Sequence, residues 1–375
     1  MIVHPESQSL LLRLQQPELV EKVIPKWTRR VEYEGHNLAV KFDLDVARVL
    51  RNMGIKAPSP IRYFYHWPRP AKFTKVLDHQ VATSEALTLH QRIFVLNEMG
   101  TAKTASALWA ADYLMSKRAV ARTLIVSPLS TLELVWADEI FNVLMHRSCT
   151  VLHGSRKKRL ARLEQDFDFY IINHDGLKVI DKELKARKDI NLVIVDEAAA
   201  YRNGSTARYA VLENFLQPWH KVWLMTGTPC PNAPTDAWAL TRLVNPGNVP
   251  KYFSHWRRQT MIQISQHKWA PRPESYEMAF RAMQPAVRFR KADCLDLPPV
   301  TFENRQCGLT KEQTGLVNEM KKEAAAELAN GVQITAANAA DKVNKLRQIL
   351  CGAVKDGATE TYHTVPHAPR LSLLL

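Results

Sequence analysis

Long hydrophobic runs are missing from this chain of 375 residues. No apolar stretch approaches the ~20 residues that cross a bilayer, so a spanning helix is not expected. The first residues, Met1-Ile2-Val3-His4-Pro5-Glu6, lack the layout of a signal peptide. Cysteine is sparse: Cys149, Cys230, Cys294, Cys307 and Cys351 stand far apart, with no close pair. That spacing argues against a metal knuckle or a disulfide framework. It predicts a reducing, cytoplasmic setting in which the thiols serve as small buried hydrophobes. Internal repeats and low-complexity tracts are also absent. Acidic residues are in deficit, 37 against 51 Lys and Arg, and the formal net charge of +14 favours a polyanionic partner, nucleic acid first.

What is present reads as roughly two domains' worth of chain with ample apolar content for a core. Residues 1–70 predict a small α/β module: a helix over Pro17 to Arg30, two short strands over Val31 to Phe42 turning at Glu34-Gly35, and a short helix from Asp45 to Asn52. Ala57-Pro58-Ser59-Pro60 and Trp67-Pro68-Arg69-Pro70 then break the pattern as a linker does. Over 71–245, apolar runs at Ile93–Leu96, Thr123–Ser127, Thr150–Leu152, Phe169–Ile172, Leu192–Val195 and Val222–Met225 alternate with helical segments at 103–116, 130–144, 156–164, 206–216 and 234–243. That alternation predicts a parallel sheet covered by helices on both faces, with ligands at the carboxyl ends of the strands. Residues 246–300 turn basic and aromatic, from Lys251-Tyr252-Phe253 through Trp256-Arg257-Arg258 to Lys268-Trp269. Residues 310–350 are helical again, so 246–375 is expected to be a basic protrusion and a helical extension. Arg156-Lys157-Lys158-Arg159 reads as a solvated helix face and His153-Gly154 as a strand-ending turn.

Three short segments fall at predicted strand ends. Gly100-Thr101-Ala102-Lys103-Thr104 follows one apolar run and opens the helix from Lys103, the context of a phosphate-binding loop. Backbone N–H groups at the helix start cradle phosphates, Lys103 reaches the terminal ones, and Thr104 can hold Mg²⁺. Asp196-Glu197-Ala198-Ala199 ends a second run: Asp196 suits Mg²⁺ through water, and Glu197 can orient the attacking water. Thr226-Gly227-Thr228-Pro229 ends a third. The order of the three describes an ATP site of the helicase kind, with Lys103, Asp196 and Glu197 as the catalytic set.

Over residues 75–375 the chain resembles the first half of a Swi/Snf-type ATPase, a branch of helicase superfamily two. Leu77-Asp78-His79-Gln80 is similar to the glutamine motif, and the resemblance implies that Gln80 reads adenine. Val126-Ser127-Pro128-Leu129-Ser130, followed by Trp136, resembles the first DNA-backbone motif, and Ile172-Asn173-His174-Asp175 the next. By that resemblance Ser127, Ser130, Thr131, Asn173 and His174 face phosphates, a task suited to hydroxyls and amides. Thr226-Gly227-Thr228 resembles the coupling motif. Arg288-Phe289-Arg290-Lys291 with Leu297-Pro298-Pro299 is similar to the segment joining two motor lobes, and Leu346-Arg347-Gln348-Ile349 to the helix before the second. Residues 1–70 resemble, more weakly, a module of annealing-helicase-like and phage-encoded members; a phage-encoded protein would work in the host cytoplasm. The fold implied is a RecA-like lobe, the cofactors ATP and Mg²⁺, and the partners double-stranded DNA and a second RecA-like lobe supplied in trans.

Two positions depart from the family. Ala102 stands where a glycine normally precedes the lysine, and a left-handed backbone there would cost ~1–2 kcal/mol. Ala199 replaces the usual histidine and removes a relay toward Thr226-Gly227-Thr228. The transition-state arginines of a second lobe have no counterpart before Leu375, and such an arginine is worth ~10³–10⁵ in rate. The expectation is a truncated motor that alone binds ATP poorly to moderately and turns it over very slowly. The rival is a non-catalytic DNA- or partner-binding protein on a decayed nucleotide fold; a P-loop kinase fits neither Gln80 nor Thr226-Gly227-Thr228-Pro229.

Overall fold

In the computed structural model, residues 1–69, 75–266, 268–294, 298, 301–323, 325–328, 331, 333–356 and 361–374 are described. Pro70, Leu297, Pro299 and Leu375, which figure in the segments above, lie outside them. The chain forms two compact units, Met1–Leu297 and Pro298–Leu375.

The first unit begins with a four-stranded antiparallel sheet in the order β1-β2-β4-β3. Its elements are β1 (Ile2–His4), β2 (Ser9–Leu12), α1 (Pro17–Val23), β3 (Thr28–Tyr33), β4 (His36–Lys41), α2 (Leu44–Asn52) and α3 (Ile61–Phe64). The helix expected to reach Arg30 stops at Val23, because Pro25 offers no N–H and disfavours helical backbone at Ile24. Arg29 and Arg30 pair instead with Ala39 and Leu38 in a hairpin whose two-residue turn, Glu34-Gly35, has positive φ at both positions. Leu10, Leu12, Leu38, Val40, Val46 and Leu50 form its core.

The central sheet carries seven strands in the order β13-β5-β10-β9-β6-β8-β7. Every neighbouring pair runs parallel. In chain order α4 (Asp78–Leu89), β5 (Arg92–Val95), α5 (Lys103–Ser116), β6 (Arg122–Ser127), α6 (Asp138–Val143) and β7 (Cys149–Val151) come first. Next are α7 (Arg156–Leu163), β8 (Phe169–Asn173), α8 (Asp181–Ala186), β9 (Ile190–Val195), α9 (Ala207–Phe215), β10 (Lys221–Met225) and α10 (Ala237–Val244). The remainder are α11 (Phe253–Thr260), a hairpin of β11 (Met261–Gln263) and β12 (Trp269–Pro271), α12 (Ser275–Ala282), β13 (Ala286–Val287) and α13 (Lys291–Cys294). All six expected strands are present.

Strand alternation divides the core. Ile93, Val95, Ile125, Ile171, Ile194, Trp223 and Met225 pack under α4, α5 and α6. Phe94, Leu124, Val126, Tyr170, Val193, Val195 and Leu224 face α7 to α10. Residues beyond 245 join that second core through Trp256, Ala279, Ala282 and Met283. β13, too short to show a period in the sequence, pairs with the outer edge of β5. The helix expected over 130–144 starts with a 3-10 turn, Leu129–Thr131, and a π-helical turn, Leu132–Ala137.

The second unit holds α14 (Lys311–Glu323), a hairpin of β14 (Ala325–Glu327) and β15 (Gln333–Thr335), α15 (Ala339–Cys351), a hairpin of β16 (Ala353–Lys355) and β17 (Tyr362–Thr364), and α16 (Ala368–Leu374). Leu316, Met320, Ile334, Ile349 and Val354 are its core. None of the five thiols is fully buried as expected: Cys149, Cys230 and Cys294 are half-buried, Cys307 and Cys351 are exposed, and no disulfide forms among them. Among the described residues no helix is long and apolar enough to cross a membrane.

Candidate nucleotide and nucleic-acid sites

A parallel sheet brings the carboxyl ends of its strands to one edge. Reading along that edge, the loops after β5, β10, β9, β6 and β8 follow in order. They carry Gly100 to Thr104, Thr226 to Thr228, Asp196-Glu197, Ser127 to Thr131, and Asn173-His174. The nucleotide candidates therefore occupy one half of the edge and the nucleic-acid candidates the other. Two backbone bonds stitch neighbouring loops together: Thr226 N–H donates to Val95 O at 3.0 Å, and Asp196 N–H to Val126 O at 2.8 Å.

The loop after β5 is tightly determined. Gly100 has φ +85°, and Ala102 holds the left-handed conformation at φ 56°, ψ 44°, so the strain expected of an alanine there is present. Buried Thr101 donates its hydroxyl to Glu98 O at 2.8 Å, and His79 Nε2 lies 3.1 Å from Thr101 O. Lys103 opens α5, and its ammonium donates to Asn97 O at 2.9 Å and Glu98 O at 3.2 Å. Thr104 sits half-buried in the same first turn, whose N–H groups lack intrahelical acceptors. Burial lowers the Lys103 pKa, while the carboxylates of Asp196 and Glu197 push it back up. Burial likewise raises that of Asp196, opposed by hydrogen bonds from Trp136 and the Glu197 N–H and by the charge of Lys103. Amine and acid, from the ends of β5 and β9, share one electrostatic site.

Asp196 is held at both oxygens. Oδ2 accepts from the Trp136 indole N–H at 3.1 Å and Oδ1 from Glu197 N–H at 3.0 Å. Glu197 adopts φ 48° and accepts the Thr226 hydroxyl on Oε1 at 3.0 Å. Gly227 presses on the phosphate loop: a Cβ there would stand 3.3 Å from Met99 N and 3.5 Å from Asn97 O. The Thr226-Gly227 pair thus touches the carboxylate and the loop at once, although the histidine relay is replaced by buried Ala199.

The nucleic-acid candidates divide. Ser130 is exposed and Thr131 half-buried. Ser127 is fully buried, with its hydroxyl accepting from Thr131 Oγ1 at 3.3 Å, because it closes β6 inside the core. Asn173, opposite Ser127 in the β6–β8 ladder, accepts from Arg159 Nη1 at 3.3 Å. His174 turns inward: Nδ1 lies 3.1 Å from the Tyr201 hydroxyl, and burial, aided by Arg208, pushes its pKa down to about 4. A neutral ring of that kind offers no charge to a phosphate. Arg159 also departs from the solvated face expected of it: it is buried, and besides Asn173 it donates to the carbonyls of Leu152 and Gly154.

Gln80 closes the start of α4, its Oε1 accepting Leu77 N–H at 2.9 Å. The residues before it, from Lys75 to His79, line a cavity of about 570 Å³ with Phe289, Ala292, Asp293 and Cys294. Sequence reasoning did not single out Asn97, which is buried and joins three parts of the site. Its Nδ2 donates to Thr83 at 2.9 Å, its Oδ1 accepts Phe289 N–H at 3.0 Å, and its carbonyl holds Lys103. A lone asparagine after a strand carries no distinguishing pattern. The donor set fits a nucleoside triphosphate with a divalent ion: a helix start and Lys103 for phosphates, Thr104 and Asp196 for the ion. Among the described residues no group of three or more His, Cys, Asp or Glu is placed to hold a metal.

Fold and site define a RecA-like lobe of the P-loop class. Residues 83–353 match the family model of the SNF2-related domain, and the chain belongs to that family. It is similar to the Xenopus laevis "SWI/SNF-related matrix-associated actin-dependent regulator of chromatin subfamily A-like protein 1", 26% identical over 170 residues, covering 44% of this chain and 17% of that one. It is also similar to the Saccharomyces cerevisiae "Nuclear protein STH1/NPS1", 23% identical over 258 residues, covering 65% and 19%. Among solved structures, the Sulfolobus solfataricus SWI2/SNF2 ATPase core in complex with double-stranded DNA shares the fold, with a TM-score of 0.51 at 21% identity over 76% of this chain and 59% of that one. The chain spans less than a fifth of either curated relative.

Proposed function

We propose that this chain is the ATP-binding lobe of a Swi/Snf-type, DNA-dependent ATPase that moves along duplex DNA. The observation that carries the reading is that the parallel order β5-β10-β9 brings the Gly100–Thr104 loop, Thr226 and Asp196-Glu197 to one sheet edge, where Thr226 donates to Glu197 Oε1 at 3.0 Å. Lys103 and the α5 N–H groups hold the phosphates, Thr104 and Asp196 the Mg²⁺, and Glu197 orients water. The ion supplies charge neutralisation at the phosphates when bound. Adenine occupies the cavity beside His79 and Phe289, with Gln80 next in the chain. Ser130, Thr131 and Asn173 grip the DNA backbone, while Ser127 and His174 position that edge from inside. In this division of labour residues 1–70 form an accessory module, 71–245 the nucleotide lobe together with 246–294, which β13 and Trp256 tie to its sheet and core, and the remainder the lead into a second lobe, whose arginines complete the site.

Lys103→Ala tests the reading. Binding of a fluorescent ATP analogue to the 375-residue chain should be lost, while duplex binding, with its steep decline in added salt, persists. Analogue binding unchanged by Lys103→Ala would remove the ATP site from the proposal. The second reading, a DNA-binding protein on a decayed nucleotide fold, is favoured by Ala102 and Ala199; it predicts no ATP binding at all and intact duplex binding.

A further inference from the structure

We infer that Lys291 is a second phosphate-binding cation, brought to the loop from the far end of the lobe by the strand that edges β5. The inference rests on the ATP reading above and adds a residue to the same site. The segment after β13 is fastened to the loop by four hydrogen bonds. Leu96 N–H donates to Val287 O at 2.8 Å and Glu98 N–H to Phe289 O at 3.0 Å. Phe289 N–H donates to Asn97 Oδ1 at 3.0 Å and Lys291 N–H to Glu98 Oε2 at 2.9 Å. These bonds fix the Lys291 backbone over the loop before any ligand arrives.

The side chain then lies against Gly100. A Cβ on that glycine would stand 3.0 Å from Lys291 Cε and 3.4 Å from its Nζ. The end of the lysine therefore lies within contact range of the loop backbone. Lys291 is exposed, and among the described residues its ammonium forms neither an ion pair nor a hydrogen bond. Its charge also contributes to lowering the Lys103 pKa. Two cations gathered at one loop, neither of them in an ion pair among the described residues, fit a ligand carrying several negative charges close together. A triphosphate has that distribution; adenosine and its monophosphate do not.

The test is equilibrium binding of fluorescent ATP, ADP and AMP analogues to the full chain at low ionic strength, comparing wild type, Lys291→Ala, Lys291→Arg, Arg290→Ala and Lys103→Ala. A charge-assisted contact predicts about a tenfold loss of ATP affinity in Lys291→Ala. The loss should shrink for ADP, vanish for AMP and be restored by arginine. Arg290 is the exposed neighbour, and its removal should leave affinity within about twofold, as for a surface charge. If Lys103→Ala abolishes ATP binding while Lys291→Ala matches wild type, or if Arg290→Ala loses as much as Lys291→Ala, the second-cation assignment is wrong and the ATP reading stands. If wild type binds no ATP, both fall. Circular dichroism of each variant separates a binding loss from unfolding.

Discussion

The indole N–H of Trp136 reaches Asp196 Oδ2 across 3.1 Å, from a π-helical turn that begins directly after Thr131. A residue first read as part of a DNA-backbone motif therefore positions the carboxylate assigned to Mg²⁺. Burial raises the Asp196 pKa and the indole donor opposes it. Trp136→Phe keeps an aromatic ring in the core but removes the donor, so the pKa should climb further. Metal binding needs the ionised acid, and Mg²⁺-dependent ATP binding should then fail at a higher pH than in wild type. Replacing this fully buried side chain should also cost about 1–3 kcal/mol in denaturant unfolding. An acid limb that stays in place would show that the bond does not tune the carboxylate.

The Thr226 hydroxyl donates to Glu197 Oε1 at 3.0 Å. Thr226→Val preserves shape and deletes the donor, leaving the carboxylate free to rotate. ATP affinity should hold within about twofold, whereas single-turnover hydrolysis on duplex DNA should slow by at least about fivefold, the worth of one net hydrogen bond. Thr226→Ser should recover the rate. Equal loss of binding and rate would place Thr226 in binding alone.

Ala102 is left-handed at φ 56°. Ala102→Gly should relieve strain and raise unfolding stability by about 1 kcal/mol, the reverse of the usual effect of adding glycine. ATP affinity should rise with it, since the Cβ no longer crowds the phosphates. A less stable variant in a urea melt would mean that the alanine's strain is balanced by contacts of its methyl group.

Asp112 is buried in α5 yet accepts from Tyr65 Oη at 2.8 Å, His146 Nε2 at 2.9 Å and Arg147 Nε at 2.6 Å. Burial pulls its pKa up, but the donors outweigh it and the net direction is down. A depressed carboxyl contributes stability above its unfolded pKa of about 3.9, and that share is lost as pH falls toward the folded value. Asp112→Asn leaves Arg147 only its 3.3 Å contact to Asp168 Oδ1 and should cost about 1–3 kcal/mol at neutral pH. Its unfolding free energy should also fall less steeply than wild type below about pH 4. Parallel acid curves for the two proteins would exclude the knot as an acid-sensitive element.

The sheet was legible because each strand is an apolar run ended abruptly by polar residues: Val195 by Asp196, Met225 by Thr226, Ile172 by Asn173. Helix starts were legible where a small or polar residue precedes a periodic stretch, as at Lys103 and Ala207. Tertiary effects were not. Arg159 looks like its charged neighbours along α7, and only the carbonyls of Leu152 and Gly154 draw it inside. His174 was read by its polarity, but its environment keeps it neutral. Asn97 and Lys291 owe their place to a partner almost two hundred positions away in the chain, a distance over which no local pattern speaks.

Because Ala286 and Val287 complete the border of the sheet, Pro285 O and Val287 O satisfy the outward N–H groups of Phe94 and Leu96 at 3.0 and 2.8 Å. A minimal fragment cut at residue 245 would strip that cover and leave β5 with raw amides beside the phosphate loop, a template for strand-to-strand self-association. Any dissection of this lobe into smaller pieces has to carry the chain through Cys294, or it will yield aggregates where a nucleotide-binding domain was wanted.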